Sequence, residues 1–313
     1  MYSLEILDRL QGTMQSSTLL HGLRVFGDRW TAQILMGAFV GVRRFEDWHE
    51  REGIARPTLS DRLRTLVELG ILRLHPYQER PLRHEYRLTQ KGLGMYGSVL
   101  MIWDWEMRWG SRQAELPRTL HHRSCGHAFR PQLACHHCGQ GVGLKDLQFE
   151  MQINPRLLVA PGQGLRGPRI SSADGLRLQL GLRLDRWALM IITSVMLGCH
   201  HFTEISHVLR IAPGILTRRL GDMLQVGLLT CESDRDDARR RVYRLTDSSR
   251  DLFGYLVCLS SWAGREHLKE ASSVLPRHRG CGHDFRPAVV CDQCHEVLQP
   301  WEVSPHPLVE VPA

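Results

Sequence analysis

The feature that most constrains this chain is a string of histidine and cysteine residues that occurs twice. Both copies have the spacing His-x2-Cys-x9-Cys-x2-Cys. They consist of His122, Cys125, Cys135 and Cys138, and of His278, Cys281, Cys291 and Cys294. Two close pairs of such ligands fit the tetrahedral coordination of a structural zinc ion. We therefore expect one zinc ion in each copy, two in the chain, and a chain built from two equivalent halves.

The repeat continues through the residues that precede each string. Trp30 matches Trp187, Trp105 matches Trp262, and the sequence Tyr-Arg-Leu-Thr occurs at 86–89 and again 157 residues later. The cysteine strings are 156 residues apart, so the two halves differ by one residue. Because each half has the size of a domain, we interpret the repeat as a duplicated unit and not as a solenoid.

Length, charge and cysteine usage narrow the class of protein. The 313 residues predict about two domains, and a net charge of +7 with a pI near 9.1 favours an anionic partner. Six of the nine cysteines lie in the two strings, which indicates thiolates in a reducing cytoplasm. No signal peptide is expected, and the longest apolar run, 188–199, is too short to span a bilayer. We therefore expect no membrane partner.

Each half has the order helix, turn, helix and two-stranded hairpin. In the first half, a helix over 58–69 carries apolar residues at helical spacing, and strands over 71–75 and 84–88 follow it. In the second half, the matching strands are 228–231 and 241–245. This order is typical of a winged helix-turn-helix, whose second helix enters the major groove of DNA while the hairpin, or wing, contacts the backbone or minor groove.

Polar residues on the third helices and arginines on the wings are the candidate DNA ligands. Arginine pairs with guanine and phosphate, and serine or threonine pairs with phosphate or base. An exposed basic helix face is usually only solvated, but here a basic helix and a basic hairpin recur in the same order. The candidates are Arg56, Thr58, Ser60, Arg62, Arg64, Arg80 and Arg83, and then Thr217, Arg218, Arg219, Arg235, Arg239, Arg240 and Arg241.

In this order of elements and in several short segments, both halves resemble the HxlR family of bacterial winged-helix transcription regulators. The matching segments are Gly27-Asp-Arg-Trp30, Arg44-Phe45, Leu59-Ser-Asp-Arg62-Leu63 and Glu85-Tyr86-Arg-Leu-Thr89. The match is close over 16–110 and weaker in the second half, where His201-Phe202 replaces Arg-Phe. The resemblance implies a non-enzymatic regulator in the bacterial cytoplasm, associated with the nucleoid, that binds double-stranded DNA.

Members of this family dimerise through their terminal helices, so the resemblance also implies an arrangement of the halves. We expect them to form a pseudo-dimer within one chain, with the helices of Trp105 and Trp262 near a pseudo-twofold interface. Many members sense oxidants through an N-terminal cysteine, but the matching position here is Ser17, which cannot form a thiolate. We interpret Cys199, Cys231 and Cys258 as buried and inert.

The predicted fold class is α+β, mainly α, with two winged-helix domains that each carry a C-terminal zinc-ribbon-like appendage. The first half is a winged-helix domain over 1–115 and a ribbon over 116–142, and a linker with some order at its start covers 143–173. The second half is a winged-helix domain over 174–272 and a ribbon over 273–300, followed by an irregular tail over 301–313.

Several alternatives stay open at the level of the sequence. His127 and His283 compete with His122 and His278 as the fourth zinc ligands, because the Cys-Gly-His sequence is also shared. A catalytic zinc is disfavoured, since four ligands leave no position for water and no glutamate adjoins the histidine. The rival function is a protein-interaction module in which one or both winged helices have lost DNA binding. Further homodimerisation and a small-molecule effector are not decided by the sequence.

Overall fold

The computed structural model of the chain describes residues 2–26, 29–110, 116–153, 156, 186–234, 237, 239–270 and 274–305. Arg235, residues 157–173 of the predicted linker and the tail from 306 lie outside the described residues. In the part of the chain that is described, no helix combines the length and the apolar character needed to cross a membrane.

The first half begins with helices and continues into a hairpin and a long helix. Its elements are α1 Leu4–Gln15, α2 Thr18–Phe26, α3 Arg29–Phe39, α4 Phe45–Glu52, α5 Arg56–Glu68, β1 Leu72–Glu79, β2 Leu82–Leu88, α6 Gln90–Leu93 and α7 Tyr96–Trp109. The hairpin is longer than predicted. Pro76, which lacks an N–H donor, lies at a shift in the strand register and does not end the strand.

The second half repeats this order from α3 onward. Its elements are α8 Arg186–Met196, α9 Phe202–Leu209, α10 Pro213–Gln225, β7 Leu229–Ser233, β8 Arg241–Leu245, α11 Asp247–Asp251, α12 Phe253–Trp262 and a π-helical segment Ala263–Leu268. The winged helix-turn-helix order is therefore present twice, as predicted.

The sequence of α5 explains its position against the rest of the winged helix. Proline lies in its first turn, and Leu59, Leu63 and Leu66 form one buried face. Gly70 follows with φ +67°, a left-handed conformation that favours glycine, and lets the chain reverse into β1. The backbone N–H of Ile71 donates to the Leu66 carbonyl over 2.9 Å and closes this turn. α5 is thereby fixed against the core with its other face outward.

Helix α1 packs against the second half of the chain, although its sequence position assigns it to the first half. It packs against α9, and the backbone N–H of Tyr2 donates to the buried Glu204 carboxylate over 2.9 Å. Asp8 on α1 also contacts His207 on α9, at 2.7 Å. The predicted first domain, 1–115, therefore contributes its first helix to the packing of the second half.

The helices that carry Trp105 and Trp262 form the interface between the halves, as predicted. Helix α12 packs against α7 and α2, and both indoles are buried. Trp105 Nε1 donates to the Ser248 carbonyl over 2.6 Å, and Trp262 Nε1 donates to the Lys91 carbonyl over 2.8 Å. Each of these residues stands 157 positions from its counterpart. The two bonds are therefore related by a pseudo-twofold axis.

Short strands from both halves build a single subdomain that carries the histidine and cysteine strings. Its strands are β3 Leu120–His122, β4 Ala128–Phe129, β5 Pro131–Cys135, β6 Leu147–Met151, β9 Val274–His278, β10 Pro287–Cys291 and β11 Val303–Ser304. We call it the exchange subdomain, because β5 pairs with β10, β3 with β11 and β9 with β6. Each of these three pairs joins one half of the chain to the other.

The central pair of the exchange subdomain is antiparallel, and its midpoint is Leu133 opposite Val289. These two residues are equivalent in the repeat, 156 positions apart. The pseudo-twofold axis therefore passes through this pair as well as between the two tryptophan helices.

The two outer strand pairs of the exchange subdomain, β6–β9 and β3–β11, include residues of the predicted linker and of the predicted tail. β6 falls at the start of the predicted linker, where some order is expected. β11 falls in the predicted tail, so the prediction of irregular chain after Trp301 is wrong for Val303–Ser304. These residues are held by β3, and the Arg123 N–H donates to the Glu302 carbonyl over 2.7 Å.

Candidate nucleic-acid interface and metal centres

Each string contains two knuckles, a His-x2-Cys pair followed by a Cys-x2-Cys pair. One cluster of possible metal ligands joins the first knuckle of the first half to the second knuckle of the second half. It consists of His122, Cys125, Cys291 and Cys294. His122 Nδ1 lies 3.6 Å from Cys125 Sγ and 3.3 Å from Cys294 Sγ. Cys125 Sγ lies 4.0 Å from Cys291 Sγ.

The other cluster is its pseudo-twofold mate and consists of Cys135, Cys138, His278 and Cys281. His278 Nδ1 lies 3.3 Å from Cys281 Sγ and 3.4 Å from Cys138 Sγ. Cys135 Sγ lies 4.0 Å from Cys281 Sγ. The two clusters thus have similar geometry. In the first, the His-x2-Cys pair comes from the first half and the Cys-x2-Cys pair from the second, and in the other cluster the halves are reversed.

The eight residues are those that the sequence predicts as ligands, but the predicted grouping within each half is wrong. The pairing of β5 with β10 is the physical reason. In its register Cys135 lies opposite Pro287, and Cys291 opposite Pro131. Each Cys-x2-Cys knuckle is therefore carried to the His-x2-Cys knuckle of the other half, and the strings meet across the pseudo-twofold axis.

The alternative ligands His127 and His283 are not members of either cluster. The His283 ring stacks on the His137 ring with centroids 3.4 Å apart, and its Nδ1 lies 2.9 Å from the Cys281 carbonyl oxygen. The histidines in the two clusters are therefore the favoured ones, His122 and His278.

Both clusters have the dimensions of a tetrahedral zinc site. Bonds of about 2.3 Å to sulfur and about 2.0 Å to nitrogen separate the ligand atoms of such a site by about 3.5 to 3.8 Å. The ligand atoms in each cluster all lie within 4.8 Å of one another. Gly126, Gly139, Gly282 and His295 have positive φ after the four knuckles, and each backbone N–H turns back to the knuckle's first carbonyl. The clusters can therefore hold metal ions.

The surroundings of the Cys125 thiol favour its thiolate form. Burial raises its pKa, but hydrogen bonds from the backbone and side chain of His127, and from His122, outweigh burial and lower the pKa to about 6. A metal ligand must be deprotonated, so this environment favours the ligating form.

The cysteines outside the clusters have different surroundings. Burial raises the pKa of Cys199 and of Cys258 to about 12, so both remain thiols, as expected for inert residues, whereas Cys231 is half-buried. Ser17 is buried between α1 and α2, where its hydroxyl donates to the Met14 carbonyl over 2.9 Å and accepts from the Leu20 N–H.

The polar face of α5 carries arginines that are held in defined positions by carboxylates. Arg56 donates two hydrogen bonds to Glu46 on α4, over 2.8 and 2.6 Å, and these hold the pKa of the Glu46 carboxyl below its usual range. Arg62 and Arg64 both contact Asp61, at 3.0 and 2.5 Å. Ser60 is exposed, and Thr58 is half-buried.

The corresponding helix α10 presents a smaller polar surface than its sequence predicts. Thr217 and Arg218 are exposed, but Arg219 is only 7% exposed, so its placement on the outer face is wrong. The reason is helical phase, because Arg219 is three positions after Leu216 and four before Met223, which both point into the core. Ile215, which the sequence pattern does not single out, is 48% exposed on the outer face.

The predicted wing arginines that the structure describes are exposed to solvent. In the first wing Arg80 and Arg83 are exposed at the tip. Apolar side chains that were not predicted as part of the site are exposed on the same hairpin, namely Leu74, Tyr77 and Leu82. In the second wing Arg239, Arg240 and Arg241 are exposed, and Arg240 contacts Asp237 at 3.3 Å.

Comparison with known proteins gives three kinds of match. A family model described as HxlR-like helix-turn-helix matches residues 25–114 and 183–271. Two proteins named as uncharacterized HTH-type transcriptional regulators, from Mycobacterium tuberculosis and Mycobacterium bovis, are 37% and 36% identical over 163 residues. These cover 52% of this chain and 97% of each relative. A solved structure of a candidate transcription factor from Pseudomonas aeruginosa is 31% identical, covers 44% of this chain and 92% of that chain, and has a TM-score of 0.32.

Proposed function

The chain belongs to the HxlR-like helix-turn-helix family, and on this premise we propose that it regulates transcription by reading two half-sites on double-stranded DNA with its two winged helices. The relatives named as HTH-type transcriptional regulators support this function. Helices α5 and α10 enter adjacent major grooves, and the wings contact phosphates. In this proposal the protein acts in the cytoplasm on nucleoid DNA.

The observation that carries the proposal is the reciprocal contact between the halves. The bonds of Trp105 and Trp262 and the β5–β10 pair are all related by one pseudo-twofold axis. Two recognition helices related in this way match half-sites about one turn of DNA apart. Because each mycobacterial relative spans about half of this chain, one chain here corresponds in length to two such relatives.

The two half-sites differ in sequence, because the outward positions of the two helices differ. Thr58 corresponds to Ile215, Asp61 to Arg218 and Arg64 to Gly221. The side chains that reach base edges therefore offer different donors, acceptors and apolar contacts in the two grooves.

Footprinting of a selected DNA site is expected to show two protected segments for each chain, about one turn apart and unrelated by a palindrome. The fixed relation of α5 to α10 and their different sequences are the reasons. The measurement is hydroxyl-radical footprinting with DNA selected from a random pool. A single protected half-site per chain, or a perfect palindrome, would contradict the intramolecular pair.

Substitution of the second wing is expected to weaken binding to all DNA sequences and to flatten its salt dependence. The variant Arg239→Ala/Arg240→Ala/Arg241→Ala removes side chains that neutralise up to three phosphates. The slope of log Kd against log salt should therefore fall by roughly 1 for each phosphate that is no longer neutralised. The control Arg118→Ala/Lys145→Ala/Arg277→Ala removes the same charge outside the winged-helix domains. Equal salt slopes for the two variants would exclude a phosphate-binding role for the wing.

We propose that the metal in both clusters is zinc and that its role is structural. Bound zinc supplies a fixed tetrahedral centre that ties the ends of short strands together. The four residues of each cluster fill such a centre, so we assign no catalytic step to it. The exchange subdomain then holds the halves, and with them α5 and α10, in one relative position.

A second function has one observation in its favour. In α10 the arginine expected on the outer face is buried and Ile215 is exposed, which suits a protein contact better than a DNA contact. The full-length variants Arg64→Ala and Arg218→Ala separate the two functions. If both helices read DNA, each variant relaxes base preference in one half-site. If α10 binds a protein, Arg218→Ala leaves DNA selection unchanged.

A further inference from the structure

A cavity of about 310 Å³ lies in the first half between α3, α7 and the residues around β11. Its wall is largely apolar and aromatic, and includes Phe39, Tyr96, Trp103 and Pro300. The Phe39 and Tyr96 rings pack with centroids 5.1 Å apart. A volume of about 300 Å³ or more with this kind of lining is in the range of sites for small molecules.

Polar side chains enter this apolar wall at three positions, Gln33, Arg51 and Glu52. The Glu52 side chain is only 8% exposed, and its carboxylate lies 3.3 Å from Arg51. The side-chain oxygen of Gln33 is buried and accepts no hydrogen bond from any described residue. A buried acceptor without a donor is unfavourable, so a ligand that donates a hydrogen bond to it would be favoured over one that does not.

The equivalent site in the second half is smaller and more apolar. Met190 stands at the position of Gln33, and Val208 and Leu209 stand at those of Arg51 and Glu52. The cavity there is only about 80 Å³, and Met14 at the end of α1 forms part of its wall. The duplication therefore contains two versions of one site, and the larger, first-half version carries the charged side chains and the buried Gln33 acceptor.

We propose that the first-half cavity binds one small aromatic molecule that carries a hydrogen-bond donor, with a stoichiometry of one per chain. The ring of the ligand packs among Phe39, Tyr96 and Trp103, and the donor meets Gln33 Oε1. The wall also includes Arg51 and Glu52 of α4, the first helix of the helix-turn-helix that α5 completes. It includes Val303 as well, which pairs with His122 of the first metal cluster. If the chain binds DNA as proposed above, an occupant of the cavity therefore contacts the elements that position α5.

The experiment is calorimetric titration of the full-length, metal-loaded protein without DNA, so that it is independent of the proposed regulatory function. The probes are 2-naphthol, which has a donor, and 2-methoxynaphthalene, which has none. We expect 2-naphthol to saturate at one molecule per chain and to bind about tenfold more tightly than the ether. In Gln33→Met, which copies the second half, the two probes should bind within about twofold of each other.

A second variant tests the cavity without changing its polar group. Val40 lines the cavity and is 40% exposed, so Val40→Trp should fold and should abolish binding of 2-naphthol by filling the space. The control Ile6→Trp changes a similarly exposed residue on α1 and should bind like the unmodified protein. Absence of saturable binding, a stoichiometry of two, a tenfold preference for 2-naphthol that persists in Gln33→Met, or binding that survives Val40→Trp would overturn the proposal.

Discussion

Removal of the metal ions with a chelator is expected to lower the Tm by about 10 °C or more. Structural zinc contributes roughly 10–16 kcal/mol in small peptides, and each 1 kcal/mol shifts Tm by roughly 1–2 °C in a chain of 313 residues. Even if only part of this binding free energy stabilises the folded protein, its loss therefore gives a large shift in Tm. The strands of the exchange subdomain are short, and β5 and β10 join the halves between the two clusters.

Hydrogen exchange locates the effect of metal removal. Amide protection of β5 and β10 should be lost on chelation, while α3 and α8, which bury their own apolar faces, stay protected. The variant Cys231→Ser is a matched control, because it removes a thiol outside both clusters and should keep the metal content and the Tm. A Tm that changes by less than about 2 °C on complete metal removal would contradict a structural role.

Truncation of either interface tryptophan is expected to cost about 3–5 kcal/mol of the free energy of unfolding. Trp105 and Trp262 are buried, and each donates to a carbonyl of the opposite half. Trp105→Ala and Trp262→Ala each leave a large cavity and a carbonyl without its donor. Because the two environments are related by the pseudo-twofold axis, the losses should be similar in size. Urea unfolding of the full-length protein measures them.

Conservative and exposed substitutions separate the contributions at this interface. Trp105→Phe keeps most of the volume but removes the donor to Ser248, so it should cost about 1 kcal/mol. Trp301→Ala changes a tryptophan that is 64% exposed and should stay within about 0.5 kcal/mol of the unmodified protein. If Trp105→Ala cost no more than Trp301→Ala, the tryptophan contact would not hold the halves together.

The winged helices could be predicted from the sequence because their signals are local. The stripe of Leu59, Leu63 and Leu66 and the glycine at position 70 determine α5 and the turn into the wing within one short stretch of chain. Helix α1 also has local signals that sequence reasoning missed, a serine cap at Ser3 and apolar residues at helical spacing. The packing partner of α1 could not be predicted from local signals, since α9 lies in the other half of the chain.

The composition of the metal clusters depends on contacts that are distant in sequence. His122 and Cys294 are 172 positions apart and meet only because β5 pairs with β10. Spacing within each string is compatible with either grouping, since both use one His-x2-Cys and one Cys-x2-Cys knuckle. The burial of Arg219 could have been predicted from the sequence, because the helical positions of Leu216, Leu220 and Met223 place it beside the buried stripe.

The central claim, that each metal ion joins the two halves of the chain, can be tested by counting zinc in two double variants. In the exchanged arrangement, Cys125→Ser/Cys294→Ser damages a single cluster, and Cys125→Ser/Cys138→Ser damages both. Metal analysis of the purified, dialysed proteins should therefore find one zinc ion per chain in the first variant and none in the second. The opposite result, none in the first variant and one in the second, would show that each half binds its own ion and would contradict the account.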